Sequence, residues 1–262
     1  RRRPAISASC RRADPSAARP GSGIDFSTRR EPRVKGWNWQ GFFEYLTNTY
    51  LFEGALVTLG LTAFSMTAGL ILGFFIAVLR MSRFRILSTT ASLYIWLFRG
   101  TPLLVQLIII YTGLPQVGIK LSVIQSTLLG LALCEAAYLS EIVRAGITSV
   151  PRGQVNAARA IGVAEAQIMR YVIMPQALRL IIPPLGNSVN SVLKTTSIAS
   201  IISMEELLRR TQVLIQEKFL VLELFVVAAI YYLIMTTAWE FVQRRIEARL
   251  GKAYGQSAMT GL

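Results

Sequence analysis

The sequence predicts an all-α membrane protein of about five transmembrane helices, with one short polar helix inserted on the cytoplasmic side. Three observations carry this. Of 262 residues, 53% are hydrophobic and only 16% are charged, against about 25% charged in soluble domains. Apolar runs of about 20 residues, the length that crosses a bilayer, recur along the chain. The basic residues gather in the N-terminal tail and at the ends of those runs.

The same composition excludes several functions. The net charge of +14 invites a nucleic-acid partner. Its arginines, however, do not form one face beside aromatic platforms, so no nucleic acid is expected. There is no histidine, which removes imidazole catalysis and histidine metal ligation. Cys10 and Cys134 lie far apart, so neither a disulfide framework nor a zinc site is supported.

Residues 1–35 are rich in Arg, Pro, Ser and Gly and read as a disordered basic leader. No apolar stretch follows its first arginines, so it does not read as a signal peptide. Residues 36–50 contain WNWQGFFEYL, an aromatic stretch suited to the membrane interface. A transmembrane domain is expected over 51–245 and a cytoplasmic tail over 246–262. The first span is the uncharged run Ala55 to Leu79, with Gly60, Ser65, Gly69 and Gly73 suited to close helix packing. The second runs from Ile86 to Tyr111, contains Arg99, and should kink at Pro102. The third covers Ser122 to Val143. The fourth covers Met169 to Val192 and should break at Pro175 and at Pro183–Pro184. The fifth covers Phe219 to Trp239.

Arg80, Arg83 and Arg85 follow span one, Arg144, Arg152, Arg159 and Arg170 follow span three, and Arg244, Arg245, Arg249 and Lys252 follow span five. Only Lys120 lies between spans two and three. The positive-inside rule therefore puts the C-terminus in the cytoplasm and the N-terminus outside, the loops outweighing the basic tail.

The insert at 150–170 is then cytoplasmic. Pro151 and Gly153 should break the preceding helix, and Ala157, Ala158, Ala160 and Ala166 favour a new one. Gly162 interrupts it with bare backbone. Two readings stay open on these residues alone: an ordinary connection, or a helix shaped to dock in a partner's groove.

Asn156-Ala157-Ala158, then Gly162, then Val172-Ile173-Met174-Pro175 resembles the Glu-Ala-Ala loop of ABC importer permeases. Further words resemble the polar amino-acid uptake subfamily. They are Arg99-Gly100-Thr101-Pro102, Tyr138-x-x-Glu141-Ile142-Val143-Arg144, Gly153-Gln154, Pro175-Gln176-Ala177 and Lys194-Thr195-Thr196-Ser197. The resemblance runs from about Gly54 to the C-terminal region. It implies a type I importer permease in a bacterial inner membrane. It also implies a second, identical or homologous permease, a dimer of ATP-binding subunits and an external solute-binding protein. ATP and Mg would be held by those subunits, with no cofactor in this chain. The chain has no GxxxxGK[ST] loop, so it is not itself expected to hydrolyse ATP. On this resemblance Gly153, Gln154, Asn156, Ala157, Ala158, Gly162 and Pro175 form the ATPase-coupling loop. Asn156 departs from the family pattern, where a glutamate stands.

Polar residues inside apolar spans are costly and usually face a cavity. Glu135, Tyr138, Glu141 and Arg144 recur every three residues on span three. Glu141 and Arg144 read as an i,i+3 pair near the cytoplasmic end. Glu135 either faces a pathway, which would suit a cationic substrate such as a basic amino acid, or pairs with Arg99 or Arg179. Asn187, Asn190, Lys194, Thr195, Thr196 and Ser197 follow the proline-rich fourth span. They are either a gate and substrate wall or polar contacts between helices. The competing function is an ion-gradient-driven secondary amino-acid transporter, which should show internal repeats that the chain lacks. An intramembrane hydrolase has little to work with, since there are neither histidines nor paired aspartates.

Overall fold

The computed structural model describes residues 36–252, and every regular element among them is helical. The expected leader, 1–35, and the tail beyond 252 lie outside the described residues. Asn38 opens α1 (Trp39–Leu46) by accepting the Gly41 N–H at 2.9 Å. Asn48 opens α2 (Thr49–Arg80) in the same way, through Tyr50 N at 2.9 Å. Such caps satisfy donors that a helix start leaves unpaired. Trp39 and Phe43 stand exposed on α1, and Glu223 ties this end of the chain to the last helix by accepting the Asn38 N–H at 2.7 Å.

α2 has 32 residues, about 48 Å of helix. α3 (Arg85–Gly100) follows a four-residue turn. The expected kink at Pro102 is a full break. α3 stops at Gly100, α4 (Leu103–Ile108) restarts beyond the proline, and the direction changes by 102°. The buried Gln106 amide explains how the break is tolerated. Its Nε2 donates to Phe98 O at 2.9 Å and to Thr101 O at 3.1 Å, carbonyls with no helical partner there. A π-helical turn, 109–113, and a 3₁₀ turn, 114–117, complete this arm.

α5 (Val123–Thr148) begins with a reciprocal Ser122–Gln125 capping box and forms the centre of the bundle. Leu131, Ala136, Ala137, Leu139 and Ser140 on it are fully buried. It packs on α2 through small residues. A Cβ added at Gly73 would lie 2.9 Å from Ala136 O and 3.0 Å from Ser140 N, so backbone meets backbone there.

α6 (Arg152–Ala160) starts after Pro151. Gly153 therefore lies inside this helix rather than breaking the one before it; the break falls at Ser149–Pro151, where proline fits a helix N-terminus. A short α7 (Glu165–Gln167) and a π-helical turn, 168–173, lead into α8 (Met174–Thr195). Pro175 sits in the first turn of α8 and opens it. Pro183–Pro184 do not interrupt α8 at all. Packing outweighs the lost donors: Trp239 Nε1 donates to Gly186 O at 2.8 Å, and Gln243 Nε2 reaches Pro183 O at 3.4 Å.

A 3₁₀ turn, 196–202, connects α8 to α9 (Leu207–Lys218), and α10 (Val221–Lys252) closes the chain. Glu206, fully buried, caps α9 and accepts the Tyr232 hydroxyl at 2.9 Å, joining α9 to α10. Among the described residues α2, α5 and α10 are each long and apolar enough to cross a membrane. The bent α3–α4 arm adds a fourth candidate. α8 has 22 residues, about 33 Å, but carries a polar face, which is why composition marks it weakly. The chain is a multi-pass membrane protein.

Candidate functional site

A cavity of about 1040 Å³ opens between the end of α3, the middle of α5 and one face of α8. Each wall follows from helix periodicity. α5 presents Glu135, Tyr138 and Glu141 at three-residue steps, and α8 presents Pro184, Asn187, Ser191 and Thr195 at steps of three and four. α3 contributes Arg99 at the lip of the Pro102 break.

The charged groups in this cavity are unevenly paired. Glu141 is shared by three arginines. It contacts Arg80 from the end of α2, accepts from Arg144 Nη2 at 3.1 Å, and lies 3.9 Å from Arg99 Nη1. The Arg99 guanidinium also rests over the Tyr138 ring, 5.3 Å from its centroid, a cation–π arrangement. Glu135 forms no ion pair among the described residues. The expected partner Arg99 turns to Glu141 instead, because six residues along α5 move the carboxylate nearly two turns closer to the arginines.

Five of the nine expected pathway residues therefore meet at the cavity: Arg99, Glu135, Tyr138, Asn187 and Thr195. The other four do not line it. Thr196 is fully buried, and its hydroxyl returns to Leu193 O at 2.9 Å. Ser197 closes a similar local bond to Lys194 O at 2.6 Å. Lys194 is exposed and Asn190 half-buried, and neither lines the cavity. The expectation of a broken helix here fails with the continuity of α8, which sets Asn187, Ser191 and Thr195 along one polar face, while Thr196 and Ser197 fall in the 3₁₀ turn beyond it. Arg80 was legible only as an orientation signal. Its contact with Glu141 spans 61 positions, and no local pattern reveals it.

The loop residues form a second feature at one end of the bundle. α6 is exposed along most of its length, with Asn156 and Ala157 open and Val155 and Ala158 half-buried. Gly162 terminates it at φ +80°. Gly162 N donates to Arg159 O at 3.0 Å and Val163 N to Ala158 O at 3.1 Å, the two bonds of a Schellman turn. Nothing lies within 4 Å of a Cβ built on Gly162, so within this chain glycine is required by conformation and not by crowding. Arg159 then reaches across the turn to Glu165, Nη2 to Oε2 at 3.0 Å, and its Nη1 to Asn156 Oδ1 at 3.4 Å. The hydrogen bond from Arg159 holds the Glu165 carboxyl below the usual carboxylate range. Ile161 is 81% exposed beside this turn, a large apolar side chain left uncovered within the chain.

The family described as binding-protein-dependent transport system inner membrane component matches residues 69–252. The chain belongs to this family. It is 38% identical over 232 residues to the arginine transport system permease protein ArgU of Corynebacterium glutamicum, covering 83% of this chain and 73% of that one. It is 37% identical over 198 residues to the probable amino-acid ABC transporter permease protein YckA of Bacillus subtilis, covering 72% of this chain and 88% of that one. A solved amino acid ABC transporter with histidines superposes with a TM-score of 0.77 at 37% identity, over 81% of this chain and 98% of that one. The methionine ABC transporter MetNI, in an inward-facing form, matches in fold with a TM-score of 0.66 at 20% identity, over 77% of this chain and 96% of that one. This binding-protein-dependent permease thus places its charged cavity and its exposed α6 within one matched region, since both fall inside 69–252.

Proposed function

We propose that this permease is the membrane subunit of an ATP-driven ABC importer that carries polar amino acids into the cytoplasm, with basic amino acids as the favoured class. The observation that carries the reading is the cavity itself. It is a chamber between membrane helices into which several charged and polar side chains project, with a carboxylate, Glu135, that forms no ion pair among the described residues. A buried acid of that kind suits a cationic guest, and the relatives named above include an arginine permease.

ATP hydrolysis belongs to a separate dimer of ATP-binding subunits, which hold ATP and Mg. α6 docks there as the coupling helix, with Asn156, Ala157, Ala158 and the exposed Ile161 offered to the partner's groove and Gln154 in its first turn beside α8. A second permease subunit completes the pathway, and an external solute-binding protein delivers the amino acid. The membrane is the bacterial inner membrane, with α6 and the C-terminus cytoplasmic and the N-terminus outside. The arginines at and beyond the C-terminal ends of α2 and α5, and in the last turns of α10, support that orientation.

The test is labelled amino-acid uptake into ATP-loaded proteoliposomes holding this chain, its ATPase and its binding protein. ATP-dependent uptake of arginine or lysine, reduced by Glu135→Gln with neutral amino acids unaffected, is the expected result. Uptake indifferent to ATP would overturn the importer reading in favour of an ion-gradient-driven carrier. Unchanged charge selectivity in Glu135→Gln would overturn the substrate class alone.

A further inference from the structure

We propose that the Gln154–Gln176 side-chain pair is the mechanical link between the coupling helix and the cavity wall, with Gln176 as the positioning residue. This rests on the docking role proposed above for α6. α6 is joined to the rest of the chain by two non-helical connections, Ser149–Pro151 on one side and the Gly162 turn on the other. Between them, Gln176 Nε2 donates to Gln154 Oε1 at 2.6 Å. Gln154 lies in the first turn of α6, and Gln176 lies in the first turn of α8. The bond therefore joins two helix starts 22 positions apart.

The same amide makes a second bond that fixes its orientation. Gln176 Nε2 also donates to Val172 O at 2.9 Å. Pro175 has no N–H, so the ladder loses a donor where the π turn, 168–173, passes into α8. The Gln176 side chain supplies a donor at that junction. Because its nitrogen must face Val172 O, its partner must be an acceptor, and Gln154 Oε1 takes that place. Wide π turns inside helices recur at functional sites. Here the turn stands between the exposed coupling segment and the helix that carries Asn187, Ser191 and Thr195 into the cavity. A displacement of α6 then reaches α8 through Gln176, on the cavity side of the π turn. Without the pair it must travel through the Gly162 turn, α7 and the π turn, each of which can absorb it.

The experiment measures amino acid imported per ATP hydrolysed, with the whole assembly in proteoliposomes. Gln154→Leu removes only the inter-helix bond, while Gln176→Leu removes that bond and the one to Val172. In both, import per ATP is expected to fall roughly five-fold, the shift that one neutral hydrogen bond supports. Gln154→Glu keeps an acceptor for Gln176 and should retain the wild-type ratio. The exchange pair Gln154→Glu with Gln176→Lys rebuilds the link as an ion pair and should restore it. A wild-type ratio in both leucine variants overturns the proposal. So does a loss confined to Gln176→Leu and absent from Gln154→Leu, which would assign the effect to the Val172 bond alone. Loss of the ATPase subunit on purification of Gln154→Leu would show that the pair acts in docking and not in transmission. Absence of ATP-driven uptake in the unmodified assembly would fail the importer reading itself, a different outcome from any of these.

Discussion

The contact between α2 and α5 makes the sharpest stability prediction, because two glycines on the same helix should respond in opposite directions. Gly73 faces α5 so closely that an added Cβ would lie 2.9 Å from Ala136 O and 3.0 Å from Ser140 N. Both obstacles are backbone atoms, so no rotamer change relieves the clash and the two helices must part by several tenths of an ångström. Overpacking of this kind costs about 1–3 kcal/mol. Helix propensity returns up to ~1 kcal/mol of it, since glycine is the poorer helix former. A net loss of about 1–2 kcal/mol is expected for Gly73→Ala. Gly60, thirteen residues earlier on α2, has nothing within 4 Å of its Cβ position. Gly60→Ala should therefore be neutral or stabilise by up to ~1 kcal/mol. The assay is a thermal challenge in detergent, followed by size-exclusion recovery of the folded chain. At about 2–4 °C per kcal/mol, the two midpoints should separate by several degrees. Equal midpoints, or a more stable Gly73→Ala, would refute the claim that direct backbone approach holds α2 on α5.

Other perturbations follow from the cavity and the loop. Glu141→Ala leaves Arg80, Arg99 and Arg144 without their shared carboxylate. This half-exposed cluster should cost about 2–3 kcal/mol, between the values for surface and buried pairs, read by the same thermal assay, with Glu141→Gln intermediate. Gly162→Val forces a β-branched residue to φ +80° and should cost about 1–2 kcal/mol locally and reduce ATP-driven uptake. Gly162→Asn, which tolerates that region, should retain most of the uptake unless a partner also excludes the side chain. Gln106→Leu strips the donors from Phe98 O and Thr101 O and should cost about 1–3 kcal/mol, visible as faster protease cleavage near the Pro102 break. Glu165 has a depressed pKa in the folded loop, so its contribution is present above the ordinary carboxylate range and is lost as pH falls through the folded value. Hydrogen exchange at Val163 to Gln167 should accelerate in that acid window, and Glu165→Gln should exchange fast at every pH.

Local features were the legible ones. Three apolar runs became long helices because length and hydrophobicity are properties of a single segment. The i,i+3 pair of Glu141 and Arg144 was readable for the same reason. What failed depended on partners distant in sequence. Pro183–Pro184 signal a break, but Trp239 and Gln243 on α10 brace α8 across the prolines. The kink expected at Pro102 is present, sharpened to a turn of 102° that the neighbouring Gln106 amide stabilises. Once α8 proved continuous, its regular period set which of Asn187 to Ser197 could reach the cavity. Gly162 lay in between: its place in the motif was readable, whereas its left-handed backbone was not.

The cluster around Glu141 has a consequence for what the pathway lets through. Three guanidiniums against one carboxylate leave a surplus of two positive charges, about 9 Å along α5 from Glu135. A bacterial interior is electrically negative, and each 100 mV pulls a monovalent cation inward by about 2.3 kcal/mol. A hydrated chamber lined only by acids would then leak sodium or potassium whenever it stood open to both sides. On the proposed orientation the surplus lies at the inner exit, where it repels the ions that the voltage drives. The carboxylate deeper in can attract a positively charged guest, while the exit resists passive current.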